Sequence, residues 1–456
     1  MASMTAALSA VLTRRVFADL PATAVHEAKR LVLDYVGVTL AGARSEPGTL
    51  AGRFALAQGG PAQARVLGHR EPVSAVNAAF ANAIAAHSLE FDDIDGQALF
   101  HSSAPVVSAA LAVAEMEHAG GRELLTAVLA GCETLARISA ATNPELLKRG
   151  FHTTAAAGAF GAAAAAGVVL GASQAELVNA LGLAGAQASG IMEIYGASMV
   201  KRFNPGPAAR NGVTAALMAR SGFTAEETVL EGERGFGAAF AGVFRAEAFL
   251  DGLGTAIPVQ FEFKRYGSCR PIHAAIDAAL QLRSAHGLRP DDIVAVTVYR
   301  HPLWETMFTA TRPRSAYEAR VSLPYSLGLA LATGTALPGQ YAAVGQGDEA
   351  AMALSGRVRI LADPTLRRTV ASRVAITTTN GETLTAEVEY PSGSERSPIG
   401  DEELTRKFHS SVDGPLGAER AARLAGQLWR LDELSDVTEL TRLPAEAQPA
   451  LTEGAR

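Results

Sequence analysis

The sequence predicts a mainly α protein: a large all-helical domain over residues 1–260, completed by C-terminal helices at 396–445, and a smaller α+β lid domain over 261–395. Three observations predict it. The chain has 456 residues, beyond the roughly 250–300 at which one hydrophobic core stops growing. Apolar residues recur at helical spacing, amid many Ala and Gly, as far as Phe249. Strand-like alternation and a hairpin signal occur only after Pro258.

The elements follow in order. In "PATAVHEAKRLVLDYVGVTLAG", Val25, Ala28, Leu31, Val32, Tyr35 and Val36 fall on one helical stripe, and Gly42 suits the helix end. Capping boxes are expected at Ser173 with Glu176 and at Thr224 with Glu227. The run Ala155 to Leu170, mostly Ala and Gly, falls short of the ~20 strongly apolar residues of a membrane span and reads as a helix packed inside protein. In the lid, "DDIVAVTVYRH" alternates Val294, Val296 and Val298 as a strand does. "RVAITTTNGETLTAEVEY" reads as two strands joined at Asn380-Gly381. Helices are expected at Pro271 to Ala285 and Ser322 to Thr333, and "SPIGDEELTRKF" begins a helical tail that returns to the first domain.

Composition excludes several classes. With 40 basic and 46 acidic side chains, a net charge of -6, nothing points to nucleic acid. Two cysteines, Cys132 and Cys269, exclude a disulfide framework and a thiolate-held iron-sulfur cluster within one chain, and fit a reducing cytoplasm. At the N-terminus Arg14 and Arg15 follow the apolar part, the wrong order for a secretory signal, so no export is expected.

The chemistry concentrates in "HSLEFDDIDGQALFHSS", where His87, Glu90, Asp92, Asp93, Asp95 and His101 stand together. Basic residues also sit beside expected helix starts. His101 precedes Ser102 and Ser103, His152 precedes Thr153 and Thr154, Lys201-Arg202 enters the turn Asn204 to Pro207, and Lys264 opens the block leading to Pro271. Free N–H groups and the helix dipole favour anions there, so converging ends would make a polycarboxylate or phosphate pocket. Each residue also has a plain reading. A single His before a helix is more often a cap or a surface group, His87 with Glu90 is an i, i+3 pair, paired Lys-Arg is often solvated, and aspartates favour turns. "DDID" is similar to the magnesium-binding motifs of all-α isoprenoid synthases, but its spacing is D-D-x-D rather than D-D-x-x-D and no second metal motif follows. No metal and no cofactor is expected.

Five ordered blocks, "AHSLEFDDID…H", "GFHTTAAAGAFGAAAAAGVVLG", "MVKRFNPGPAARNGVTAALMARSGFTAEETVLEGERGF", "FKRYGSCRPIHAAIDAAL" and "SPIGDEELTRKF", resemble the MmgE/PrpD family from about Ala24 to Leu431. That family includes 2-methylcitrate dehydratase, cis-aconitate decarboxylase and iminodisuccinate epimerase. The resemblance implies a homodimer, a small di- or tricarboxylate substrate, and a site in the cleft between the two domains. By motif it implies catalytic roles for Glu90, Asp93, His101, His152, Lys201 and Lys264, with Tyr266, Cys269 and His273 in the lid block. The chain departs from the family where Glu90 replaces the usual Asp, "DDIDGQALFH" lacks a His after the paired aspartates, "YGSC" replaces Tyr-Pro-x-Cys, and Asn204 replaces His.

The shared elementary step implied is proton movement at carbon beside a carboxylate. It needs cations for the carboxylates, a proton acceptor and a proton donor. Arg202, Arg210 and Arg270 are expected to clamp carboxylates, and His101, His152, Lys201 and Lys264 to exchange protons, oriented by Glu90 and Asp93. A 2-methylcitrate dehydratase-like hydro-lyase is the leading expectation, with an epimerase or a cis-aconitate decarboxylase-like enzyme as alternatives. From other classes stand a metal-dependent prenyl-diphosphate enzyme and a non-catalytic binding homologue.

Overall fold

The computed structural model describes residues 3–95, 100–196, 198–257 and 261–446. Pro258, where the change of character is expected, and the middle of the Asp95 to Phe100 stretch lie outside them.

Residues up to Leu250 form helices packed at close range and, against the all-helical expectation, one short two-stranded antiparallel sheet, Ala64–Arg65 with Pro72–Val73. The helix Ala22–Gly42 buries Ala28, Leu31, Val32, Tyr35 and Val36 of the expected stripe, leaves Val25 half-buried, and also buries Arg30 and Asp34. Gly42 is required by packing: a Cβ there would lie 1.9 Å from the Ala85 carbonyl oxygen on the helix Ala75–His87. Likewise Gly131, on Gly121–Thr142, lets that helix approach Gly161 on Gly158–Val169, whose carbonyl a Cβ would meet at 2.6 Å. Gly121–Thr142 is long and apolar enough to cross a membrane by length and composition, and 94% of its apolar window is buried inside the protein.

The chain end closes this core. Helices Asp401–Leu416, Ala418–Trp429 and Thr438–Ala445 place Leu404, Phe408, Val412, Leu424, Leu428 and Leu443 in one cluster with Leu31, Val36 and Leu135. A second core joins Ile276, Val296, Val298, Tyr325, Val374 and Ile376, where helices His273–His286 and Leu323–Thr333 accompany a four-stranded sheet. Its strand order is Val358–Ala362, Ile293–Arg300, Ser372–Thr378, Thr383–Val388; the first pair is parallel and the others antiparallel. Asn380-Gly381 does turn the hairpin: Gly381 takes a φ of 84° and the Thr378 N–H donates to the Glu382 carbonyl at 2.9 Å.

Two local expectations need correction. Val296 and Val298 face the core but Val294 is 52% exposed, because a register shift between Ile293 and Ala295 rotates it outward. Ser173 and Glu176 form their capping box, whereas Thr224 and Glu227 start no helix. Ala225 is docked instead, its N–H on Asn179 Oδ1 at 3.1 Å and its methyl against Gly182.

Candidate active site

The helix Ala75–His87 delivers the chain into the acidic stretch, and the backbone then bends sharply. Glu90 adopts a left-handed φ of 53°, a conformation that costs a non-glycine residue of order 1–3 kcal/mol unless its surroundings hold it. Two buried cations hold it from either side. Arg320, from the lid, donates to the Leu89 carbonyl at 2.6 Å; Lys407, from the C-terminal helix, donates to the Phe91 carbonyl at 2.7 Å. Lys407 is itself paired with Asp34 at 2.6 Å. Farther along, Ile94 and Glu262 exchange backbone hydrogen bonds of 2.9 and 3.0 Å, which brings Lys264 against the same loop.

The fully buried Glu90 carboxylate is where the domains meet. Lys201 binds its Oε1, Lys264 Nζ lies 3.3 Å from its Oε2, and Arg202 Nη2 lies 3.7 Å from Oε1. Burial alone would raise the Glu90 carboxyl, but Lys201, Lys264 and Arg202 overcome it and hold the group well below the usual range. Asp92 behaves alike: burial is outweighed by His101, His87 and Lys264, the last at 3.5 Å. Three cations thus face two ionised carboxylates. The Arg202 guanidinium is buried, and its Nε and Nη2 have no hydrogen-bond partner. Leaving such donors unmade is costly, so a ligand carboxylate is the natural complement.

The histidines divide by tautomer. His101 Nδ1 lies 2.7 Å from the Asp93 carbonyl oxygen and 3.1 Å from Asp92 Oδ2, both acceptors, so Nδ1 carries the hydrogen and Nε2 presents a lone pair. His152 Nδ1 accepts from the Asn204 amide nitrogen at 3.2 Å, so its Nε2 carries the hydrogen. Burial, then His87, His101 and Lys201, keep His152 neutral by pushing its titration well below the ordinary range. One imidazole therefore offers an acceptor and the other a neutral N–H donor.

His87, Asp92 and His101 also bring three donor atoms within 4.8 Å, the spacing of a metal site. Both Nδ1 atoms are engaged by Asp92 Oδ2, at 2.7 and 3.1 Å.

The structure therefore gathers Glu90, His101, His152, Lys201, Arg202 and Lys264, and places Cys269 among them. Burial pushes up the Cys269 thiol, and Lys201, Glu90 and Lys264 act on it. Other expected site residues lie elsewhere. Arg210 is exposed, bonded to Asn211 and lying over Phe80, because Asn204 continues in a helical conformation and the helix Pro205–Arg220 carries Arg210 outward. Arg270 is spent on Glu262 at 2.7 and 3.0 Å and on the Ser392 carbonyl. Tyr266 donates to Asp277 at 2.6 Å, and His273 bonds the Ser268 carbonyl at 3.0 Å; both serve the lid interior.

The Asp93 carboxylate spends its hydrogen bonds on a helix start, although His101 still acts on it electrostatically. That carboxylate accepts from the N–H groups of Ser102 and Ser103 and from the Ser103 hydroxyl, capping the helix Ser103–Met116. The expected anion site at that helix start is thus filled from within the chain. Thr154, beside the helix start that follows His152, accepts the His101 N–H at 3.0 Å. Lys264 precedes its nearest helix, Arg270–Ile272, by several residues and flanks no helix start.

Sequence reasoning missed Asp92 as the partner of His101, and it missed Tyr195 and Tyr317, whose rings lie 5.3 Å from Lys201 Nζ and 5.2 Å from the Arg202 guanidinium. It also missed Arg320 and Lys407. The paired Asp92-Asp93 was the only local signal, and it does not say which aspartate faces which group. A cavity of about 550 Å³, lined by Arg44, Glu46, Ser88, Leu89, Phe91 and Tyr317, opens at the domain seam; Glu90, the two lysines and the histidines do not line it.

Comparison with known proteins agrees with this architecture. Residues 6–248 match the MmgE/PrpD N-terminal domain and residues 266–432 the MmgE/PrpD C-terminal domain. A cis-aconitate decarboxylase of Aspergillus terreus is 27% identical, with 93% of this chain and 92% of the relative covered. The human cis-aconitate decarboxylase is 28% identical over 92% of this chain and 90% of its own length. A cis-aconitate decarboxylase-like protein of Aspergillus oryzae is 26% identical over 97% of both.

Proposed function

This chain belongs to the MmgE/PrpD family, and on that premise we propose that it is a lyase that removes CO2 from cis-aconitate or a close tricarboxylate analogue, using side chains alone. The observation that carries this is the Lys201–Glu90–Lys264 bridge with Arg202 beside it: a buried cluster with one more cation than carboxylate and unused guanidinium donors. The full-length likeness to cis-aconitate decarboxylases favours this reaction over the dehydratase expected first from sequence. Family membership also replaces the prenyl-diphosphate alternative.

In such a reaction the C–CO2 bond breaks and its electron pair passes through the double bond to carbon beside a remaining carboxylate. One proton is then added there, giving CO2 and a five-carbon dicarboxylate. Arg202, Lys201 and Lys264 would hold carboxylates and spread the developing charge. His152, neutral, would donate a hydrogen bond through Nε2 without ionising. His101 would carry the proton through Nε2, with Asp92 as counter-charge to its protonated form.

A second reading, dehydration of a hydroxylated tricarboxylate, is favoured by the same pair, because an acceptor for the C–H proton and a donor for the departing hydroxyl are both present. Proton NMR of the purified enzyme in D2O with cis-aconitate, citrate, 2-methylcitrate, malate and iminodisuccinate separates them. Consumption of cis-aconitate with loss of carbon supports the first; turnover of 2-methylcitrate alone supports the second. Binding without turnover of any would mark a non-catalytic homologue.

The enzyme would act in the cytoplasm as a homodimer. Supporting the dimer, Leu50, Phe54, Val200 and Phe203, between 41% and 51% exposed, line an apolar groove on the helical domain suited to a second copy. Light scattering that returned a monomer would remove this part of the reading.

A further inference from the structure

We propose that His87 and Asp92 are positioning residues, which fix the nitrogen through which His101 exchanges protons. This rests on the proton-carrying role proposed for His101. His87, the last residue of the helix Ala75–His87, is fully buried. Its Nδ1 donates to Asp92 Oδ2 at 2.7 Å, the oxygen that lies 3.1 Å from His101 Nδ1. The two imidazoles meet edge to face with centroids 4.6 Å apart. Lys264 engages the other Asp92 oxygen, Oδ1, at 3.5 Å. Asp92 is thus gripped at both oxygens and presents one of them to His101.

The arrangement has the parts of an orienting relay: a neutral donor, a fixed carboxylate and a reactive imidazole. Burial keeps His87 uncharged, its Nε2 has no hydrogen-bond partner, and the His152 ring lies 6.2 Å away between centroids. Charged groups acting on this trio come from several neighbouring segments, Glu90 and Asp93 from the loop and Lys264 from the lid side, while Lys201 of the helical domain acts on the adjacent His152. Asp92 also acts on Lys407 of the C-terminal helix. Without the carboxylate, only the Asp93 carbonyl would remain to hold His101 Nδ1–H. Supporting groups of this kind change activity by roughly 10- to 100-fold when removed.

Three variants test it: His87→Leu, which removes the donor; His87→Asn, whose amide N–H stands where Nδ1–H stood; and the isosteric Asp92→Asn. Two readouts apply to each. One is kcat and KM with cis-aconitate. The other is the nitrogen-15 NMR tautomer signature of His101 in histidine-labelled full-length protein, assigned by its loss in His101→Gln.

His87→Leu and Asp92→Asn are expected to lower kcat by roughly 10- to 100-fold with little change in KM, and to turn a pure Nδ1–H signature into a mixture of tautomers. His87→Asn is expected to restore the signature and most of the lost kcat. Equal damage from His87→Asn and His87→Leu with an unaltered His101 signature would show that His87 acts through its free Nε2, and the proposal falls. Unaltered kcat and signature in all three would make His87 and Asp92 packing residues, and the proposal falls equally. If wild-type protein turned over no carboxylate, the function proposed above would fail, while the NMR signature would still decide the positioning claim. A His87→Leu chain that does not fold leaves the decision to His87→Asn and Asp92→Asn.

Discussion

Lys201, from the helical domain, and Lys264, from the lid side, bind opposite oxygens of one buried carboxylate, Glu90. The bridge joins the two halves of the protein at the point where the substrate is proposed to bind. Glu90→Gln strips two buried cations of their shared counter-charge. Thermal or urea unfolding is expected to show a loss of about 3 kcal/mol, the scale for breaking a buried ion pair. A saturating tricarboxylate should recover more stability in the variant than in wild type, because it supplies the missing charge. A variant as stable as wild type would mean the lysines are neutral or solvated.

Replacing Lys201 with Ala removes a cation that touches Glu90 and lies over Tyr195. If Lys201 acts in the transition state, kcat falls by roughly 100-fold or more. A rise in KM at constant kcat would reassign it to uniform carboxylate binding. Steady-state kinetics on folded variant, checked by circular dichroism, distinguishes the two.

Arg202 offers two unused donors in a fixed fork, which a point charge cannot imitate. Arg202→Lys is therefore expected to raise KM by at least ~10-fold while leaving kcat within a few-fold, the cost of losing one charge-assisted hydrogen bond being about 1.5–3 kcal/mol. Isothermal titration with a saturated tricarboxylate analogue should report the same loss. Unchanged affinity would place the substrate carboxylates elsewhere.

Stability should fall on acidification. His87 is lowered from 6.5 to about 4 in the folded protein, first by burial. A depressed value means its stabilising contribution is present above pH 6.5 and is lost as pH falls towards 4. The unfolded chain takes up that proton first, which is worth ~3 kcal/mol over the window. His152 and His273, also held neutral by burial, act in the same direction. Asp34, raised by burial to about 6, acts oppositely and alone among these four. Urea midpoints measured from pH 7 to pH 4.5 should decline, with a shallower decline in His87→Asn. A flat profile would contradict neutral burial of these imidazoles.

Much of this protein was legible in its sequence, and the limits have a physical cause. Helical periodicity located the core helices, and the Asn380-Gly381 pair located the hairpin, because both signals are local. The blocks around Glu90, His101, His152, Lys201 and Lys264 marked residues that do converge. Long-range contacts stayed hidden. Arg320 and Lys407 pin the carbonyls on either side of Glu90 across sequence separations of 231 and 316 residues, which no local spacing encodes. Arg210 and Arg270 were misplaced for a related reason: a cation in a motif looks the same whether it faces the buried Glu90 carboxylate, as Arg202 does, or solvent, or a partner such as Glu262.

The most direct test of the central claim is mass spectrometry of the product formed from cis-aconitate in D2O, with CO2 collected in the same reaction. The proposed decarboxylation predicts one CO2 released per substrate consumed and one deuterium fixed at carbon in a five-carbon dicarboxylate, with both lost together in Lys201→Ala. Cis-aconitate recovered unchanged, or a hydrated six-carbon product formed without CO2, would contradict it.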